Sequence, residues 1–174
     1  YRIGEGDNCC VQGGTQERWG FFSYALFEQL KAAAPEFEQL AAFQAGGWRL
    51  SVRRERVETA ARPLRTEFVT GNYFSTFGIG AYAGRMLAPS DDVPGAAPVA
   101  VLSYAAWQSQ HAGDPNVVGA TFFLQGHPVT LVGIAPPGFY GDRIIPNPPA
   151  LWIPLNSEPV LEGETTLLKQ ADSN

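Results

Sequence analysis

The side chains of this chain that could do chemistry are Asp91-Asp92, Ser103, Asp114, His111, His127 and the adjacent Cys9-Cys10. A metal centre needs several donors converging at fixed spacing. Two lone histidines, with no His-x-x-x-His and no Cys-x-x-Cys, do not supply one. His111 is expected in the last turn of a helix, where a cation suits the dipole, and His127 just after a tight turn, both at the surface. A disulfide between neighbouring cysteines strains its ring, so Cys9 and Cys10 are read as a reduced pair in a loop. Ser103 stands at a strand-to-helix junction, as a nucleophile elbow does. Gly-x-Ser-x-Gly is missing, however, and helix capping accounts for the serine. Asp91 and Asp92, being adjacent, point in different directions and read, like Asp114, as cap or turn residues rather than an acid–base pair. Gly78-Ile79-Gly80 lacks the strand-to-helix context of a phosphate loop. No acid, base and nucleophile can be named together, so neither an enzyme nor a cofactor or metal site is expected.

Charge offers a second kind of chemistry. Arg49, Arg53, Arg54, Arg56, Arg62 and Arg65 are half of the twelve basic residues, and Glu55, Glu58 and Glu67 offset three of them. Such a cluster either guards a sheet edge against pairing or meets an anionic partner. Arg53, Arg54 and Arg56, at the expected turn, are the contact candidates. Trp19 joins them as an aromatic following a polar loop. The net charge of −5 argues against a nucleic-acid partner.

The elements that must position these residues follow from pattern. Residues 1–6 read as a strand and 7–18 as a polar loop. Ser23 caps a helix whose Tyr24, Phe27, Leu30 and Ala34 share one face, with Phe22 and Phe27 as a hydrophobic staple. Pro35 ends it, and Phe37 to Phe43 reads as a strand. Gly46-Gly47 is the best internal boundary. Trp48, Leu50 and Val52 alternate with polar residues as in a half-buried strand. A charged turn over 53–56 leads to a returning strand over 57–69, where Pro63 suggests an edge or a bulge. Asn72 to Phe77 forms a short helix with Gly78 after it, and Pro89 to Asp92 a turn. Pro98 to Leu102 is a buried strand, followed by a helix with Tyr104 and Trp107 inward. Asp114-Pro115 starts another helical turn. Strands over 121–125 and 129–134 flank a tight turn at Gln125-Gly126, where Gln is less comfortable than Asn. Residues 146–159 form a stiff, proline-rich crossing around Leu151-Trp152-Ile153, and the polar tail begins at Leu161. The chain has no apolar run long enough to span a bilayer and reads as an excised segment of a longer protein.

In order along the chain stand Val69-Thr70-Gly71-Asn72-Tyr73-Phe74, Gly84-Arg85, Pro98 to Tyr104 with Trp107, Gly113-Asp114-Pro115 with Val118-Gly119, and Val132 to Phe139. This series resembles the MacB-like periplasmic core domain of ABC transporter permeases of the MacB/FtsX-like type. The likeness extends upstream through Tyr24, Leu30 and residues 37–43 and covers most of 1–155. It implies an α+β fold: a mixed α/β two-lobed module with short helices. A partial βαβ (porter-like) lobe over 1–45 would be joined to an inserted mixed-sheet lobe over 46–160, with a polar tail over 161–174. A returning half of the first lobe is not visible before Asn174, which would leave one sheet edge unpaired. The resemblance further implies a periplasmic segment of an inner-membrane permease, held to the membrane by flanking helices. In it the domain contacts a periplasmic adaptor protein, forms a homodimer within the transporter, and couples ATP-driven motion across the membrane. The family carries no catalytic residues in this domain. Gly71, Gly84, Gly119 and Gly133 match its motifs as backbone-geometry positions. The rival reading is a free-standing periplasmic module that binds a ligand or peptide in a groove lined by Trp and Tyr residues.

Overall fold

A computed structural model describes residues 23–44, 48–163 and 168. The strand expected over 1–6, Phe22, the Cys9-Cys10 pair, Trp19 and the Gly46-Gly47 boundary lie outside them. Helix α1 covers Tyr24–Ala33, and the Ser23 hydroxyl accepts from the Leu26 N–H at 3.3 Å, as its cap role predicts. Phe27 is its buried residue. Residues 35–39 are exposed, and the strand expected over 37–43 shrinks to one bridge between Phe43 and Val69. Glu38 and Gln39 stay exposed and only Ala41, Ala42 and Phe43 pack against the cores, so the stretch meets the sheet at its end alone.

The rest is one mixed sheet. Its strands are β1 (Trp48–Arg54), β2 (Arg62–Val69), β3 (Ala83–Gly84), β4 (Val99–Leu102), β5 (Thr121–Leu124), β6 (His127–Ile134) and β7 (Leu151–Pro154). The order is β3-β6-β4-β7-β2-β1-β5, and β5 pairs with β6 as well. That last pairing returns the order to β6 and closes six strands into a ring, with β3 added outside it. The charged turn starts later than expected, because β1 continues through Arg54. Strand β2 is internal rather than at an edge. Pro63 is tolerated there because it precedes the part of β2 that pairs with β7, which starts at Thr66.

Side-chain alternation sorts the core into two faces. Leu50, Val52, Phe68, Ala100, Leu102, Phe122, Leu124, Leu131, Leu151 and Ile153 gather in one cluster with Trp107 of α3 (Tyr104–His111). On the opposite face Val69, Val99, Val101 and Trp152 pack with Leu87, Ala135 and with Tyr73 and Phe74 of α2 (Tyr73–Thr76). Strands β4 and β7 are buried at every position, which explains their unbroken apolar runs. Ser103 caps α3 by accepting from the Ala106 N–H at 3.1 Å.

The turn between β5 and β6 puts both Gln125 and Gly126 at positive φ, 50° and 85°, the conformation that two-residue hairpins favour. Glutamine has a specific use here. Its side-chain oxygen accepts from the Ser51 N–H at 3.2 Å while its own N–H donates to the Ser51 carbonyl at 2.9 Å. The longer side chain thus fastens the turn to β1. Beyond β7, the proline spacing predicts an extended crossing and the polar composition a tail from Leu161. Instead, helix α4 (Glu158–Glu162) forms, with Leu161 and Glu158 buried. Pro159 sits in its first turn, where its missing donor costs nothing.

A register shift in the β4–β6 pairing skips Val132, placing Gly133 opposite Val101. There the backbone of Arg85 crosses so closely that any Cβ on Gly133 would collide with the Arg85 carbonyl. Replacing Gly133 with Ala is expected to push β3 off β6. A loss of about 2–3 kcal/mol, or a Tm lower by roughly 5–10 °C, checks this in thermal unfolding.

Candidate functional site

The hairpin of β1 and β2 carries the arginines singled out by sequence, but the pleat sends them to different places. Arg53 points outward, with its guanidinium 4.7 Å from the centre of the Phe123 ring. Arg54 points inward and is 7% exposed. It donates to Asp114 Oδ2 at 2.7 Å and to the Asn116 carbonyl at 3.0 Å. Arg54 is therefore a fastener between β1 and the turn after α3, not an open contact residue. The Arg54 hydrogen bond in turn holds the Asp114 carboxyl below its ordinary range. Arg56 is exposed at the tip of the turn, with φ at 60°. Arg62 is paired with Glu58. Arg49 and Arg65 face each other across the two strands.

The aspartates act separately, as their adjacency predicts. Asp91 binds Arg85 through both oxygens, at 2.6 and 2.8 Å, which lowers its pKa. Asp92 turns the other way and accepts from the N–H groups of Gly71 at 3.0 Å and Asn156 at 2.8 Å, tying three segments together. Burial raises its pKa. His111 is half-buried, not at the surface. It lies edge-on to Phe122 with ring centres 5.6 Å apart, and burial lowers its pKa. His127 is exposed as expected. Among the described residues no group of His, Cys, Asp and Glu could hold a metal ion, and no helix is long and apolar enough to cross a membrane.

Sequence reasoning missed the most unusual group, Glu67. It is 3% exposed and accepts from the Trp152 indole N–H at 2.9 Å. The segment between β6 and β7 crosses over it. Phe139 of that segment packs on Phe74 and Trp152 with ring centres 5.5 and 5.3 Å apart. A Cβ on Gly141 would touch Glu67, Tyr73 and Trp152 together. Burial, reinforced by the charge of Asp142, raises the Glu67 carboxyl to about 7, against the pull of the Trp152 hydrogen bond, Arg143 and Arg65. Burial likewise raises the Tyr73 hydroxyl. The signal in the sequence was a lone acid beside Phe68 and Val69 in a strand that is otherwise apolar at its end. Its partner Asp142 lies too far along the chain for spacing to reveal it.

The groove of the rival reading is small. The best-formed cleft has a volume of about 150 Å³ and is lined by residues that include Ser103, Tyr104, Phe139, Tyr140 and Pro149. Typical ligand pockets are about 300–1,000 Å³. Trp107 and Trp152 are buried in the two cores instead of lining it.

The shifted Glu67 has a consequence for stability. Its folded pKa is raised, so the folded state holds the proton more tightly than the unfolded chain. The resulting stability is complete below the unfolded value of 4.5 and disappears as pH rises through about 7. Denaturant unfolding of the Glu67→Gln variant should show a flatter stability profile between those limits than the parent. The two profiles should diverge by about 3 kcal/mol across that window. Parallel profiles would show that Glu67 does not titrate there.

The sequence matches the family described as the MacB-like periplasmic core domain over residues 2–173. No curated protein matches it. Two of the solved structures that share the fold are transporter domains. One is the extracellular domain of the noncanonic ABC-type transporter YknZ from Gram-positive bacteria, at 15% identity and a TM-score of 0.62, covering 82% of this chain and 67% of that one. The other is the periplasmic region of MacB from Actinobacillus actinomycetemcomitans, at 16% identity and a TM-score of 0.59, covering 83% of this chain and 59% of that one.

Proposed function

The chain belongs to the family of MacB-like periplasmic core domains, non-catalytic periplasmic parts of ABC-type transporter permeases, and on that premise we propose that it transmits motion to an extracytoplasmic partner. The observation that carries this reading is the closed ring of strands. A sheet whose six ring strands are each paired on both sides moves as one body, so a displacement applied at one end reaches the other undiminished. Polar links across distant segments, such as Asp92 to Gly71 and Asn156, and Arg54 to Asp114, stiffen it further. An adaptor protein outside the membrane is the proposed recipient of that motion, within a transporter that contains two copies of the domain. The two-lobed division near residue 45 and the contact role of Arg53, Arg56 and Trp19 belong to the same proposal. The small volume of the cleft favours coupling over ligand capture.

Excising residues 48–163 from the intact permease, with a flexible linker in their place, tests the reading. Export should fall by about tenfold or more while ATP hydrolysis by the assembled, membrane-inserted transporter continues. Unimpaired export would refute a coupling role. Loss of both activities in a correctly inserted transporter would assign the domain to assembly instead.

A further inference from the structure

Arg49 and Arg65 stand directly opposite each other in the β1–β2 register. Leu50 and Val52 point into the core from the alternate positions, so the two arginines share the outward face, Arg49 exposed and Arg65 half-buried. Among the described residues neither makes an ion pair. Like charges directly opposite on a sheet are destabilising, so this pair works against the fold. An edge-guarding role accounts at most for Arg49, since β5 joins β1 only from Val52 onward, whereas Arg65 has Arg49 opposite it on one side and its carbonyl accepts from the Ala150 N–H on the other. Arg53 continues the row on the same face. Ser51 and Pro63, opposite each other, separate it from the pair and leave the surface between low. Along β1, Arg49 and Arg53 are four residues apart, about 13 Å. The nearest carboxylate on this face is Glu67, two residues beyond Arg65, but it is buried and already bound to Trp152. The result is a row of three arginines on a chain whose net charge is −5.

We propose that this face of β1 and β2, with Arg49, Arg65 and Arg53, is the docking surface for an acidic, extended protein segment of the partner. The guanidinium fork matches carboxylates in a bidentate way. Carboxylates four residues apart on an extended strand repeat the spacing of Arg49 and Arg53. A protein is favoured over an anionic bilayer because the surface between the arginines is only Ser51 and the small Pro63 ring, with no long apolar side chain to insert. The inference rests on the partner-contact reading above and names the chemistry of the partner.

Poly-L-glutamate is the probe, titrated against the full chain, with vesicles of phosphatidylcholine and phosphatidylglycerol as the second arm. Binding to poly-glutamate should be saturable and weaken with salt. It should drop about tenfold in the Arg49→Gln, Arg65→Gln double variant and stay unchanged in Arg62→Gln, whose arginine is already paired. The double variant should also melt no lower than the parent, since a repulsive pair has been removed. Absence of poly-glutamate binding, equal weakening in Arg62→Gln, or preferential binding to vesicles would each overturn the proposal. A lower Tm in the double variant would do so too, because the arginines would then be serving the fold. Coupling is read in the permease and this binding in the chain, so either can fail while the other holds.

Discussion

Strand β5 is four residues long and is hydrogen-bonded along both edges, to β1 on one side and β6 on the other. The rest of the architecture depends on this double pairing. Without it the sheet would be open along β1 and along the first half of β6, whose second half β3 covers, and the core that includes Phe122 and Leu124 would be open to water. A strand so short gains little from its own ladder, and the chain reinforces it at both ends. The Gln125-Gly126 turn hooks back onto Ser51, and the Glu55 N–H donates to the Thr121 carbonyl at 3.0 Å. Arg54, which leaves β1 beside β5, then binds the turn that follows α3. Buried charge is costly unless paired and hydrogen-bonded. Here it is both, and the pair bolts β1 to the turn that leads from α3 into β5.

Closing the ring also decides where the second core must lie. Strands β4 and β7 have apolar side chains on both faces, and only one face can look inward. The outer face of β2, β4 and β7 therefore needs a cover, which α2 and the segment between β6 and β7 provide through Tyr73, Phe74 and Phe139. Glu67 lies beneath that cover because its strand has the wrong parity for the inner core. A carboxyl in such a place is kept near neutral by burial and by the neighbouring Asp142, so the cover does not have to hold a full charge against apolar rings.

Much of this was legible in the sequence where the signal was local. Ser23, Ser103 and Asp114 act as caps because a hydroxyl or carboxylate before an apolar period has few other uses. The strands expected over 48–52, 98–102, 121–125 and 129–134 follow from alternation or unbroken apolar runs, and each forms within two residues of those bounds. The family likeness placed the chain among mixed-sheet periplasmic domains, which the fold and the family match support. What could not be read was everything set by long-range pairing. Pro63 does stand on a one-sided stretch of β2, as expected, but that the same strand runs on between β1 and β7 from Thr66 could not be read. Phe37 to Phe43 has strand-like composition, yet only its end reaches the sheet, as a single bridge from Phe43 to Val69 at the end of β2. Arg54 and Arg53 look alike in the sequence. Only the continuation of β1 by one more pleat turns one inward and the other outward.

That parity separates the arginines of the hairpin by the work left for them. Arg54 and Arg62 have carboxylate partners, Asp114 and Glu58, and their charges are spent inside the molecule. Arg53 lies over Phe123 and keeps its charge outward, since a cation on a ring face is stabilised without being neutralised. Arg49 and Arg65 make no ion pair among the described residues, Arg65 acting on the buried Glu67 only through space, and they oppose each other. A face that only needed solubility could carry alternating signs at no cost in repulsion. Concentrating one sign on the middle of a closed sheet, in a chain of net negative charge, makes sense as recognition: the repulsion stored between the two arginines is relieved only when a negative group arrives between them.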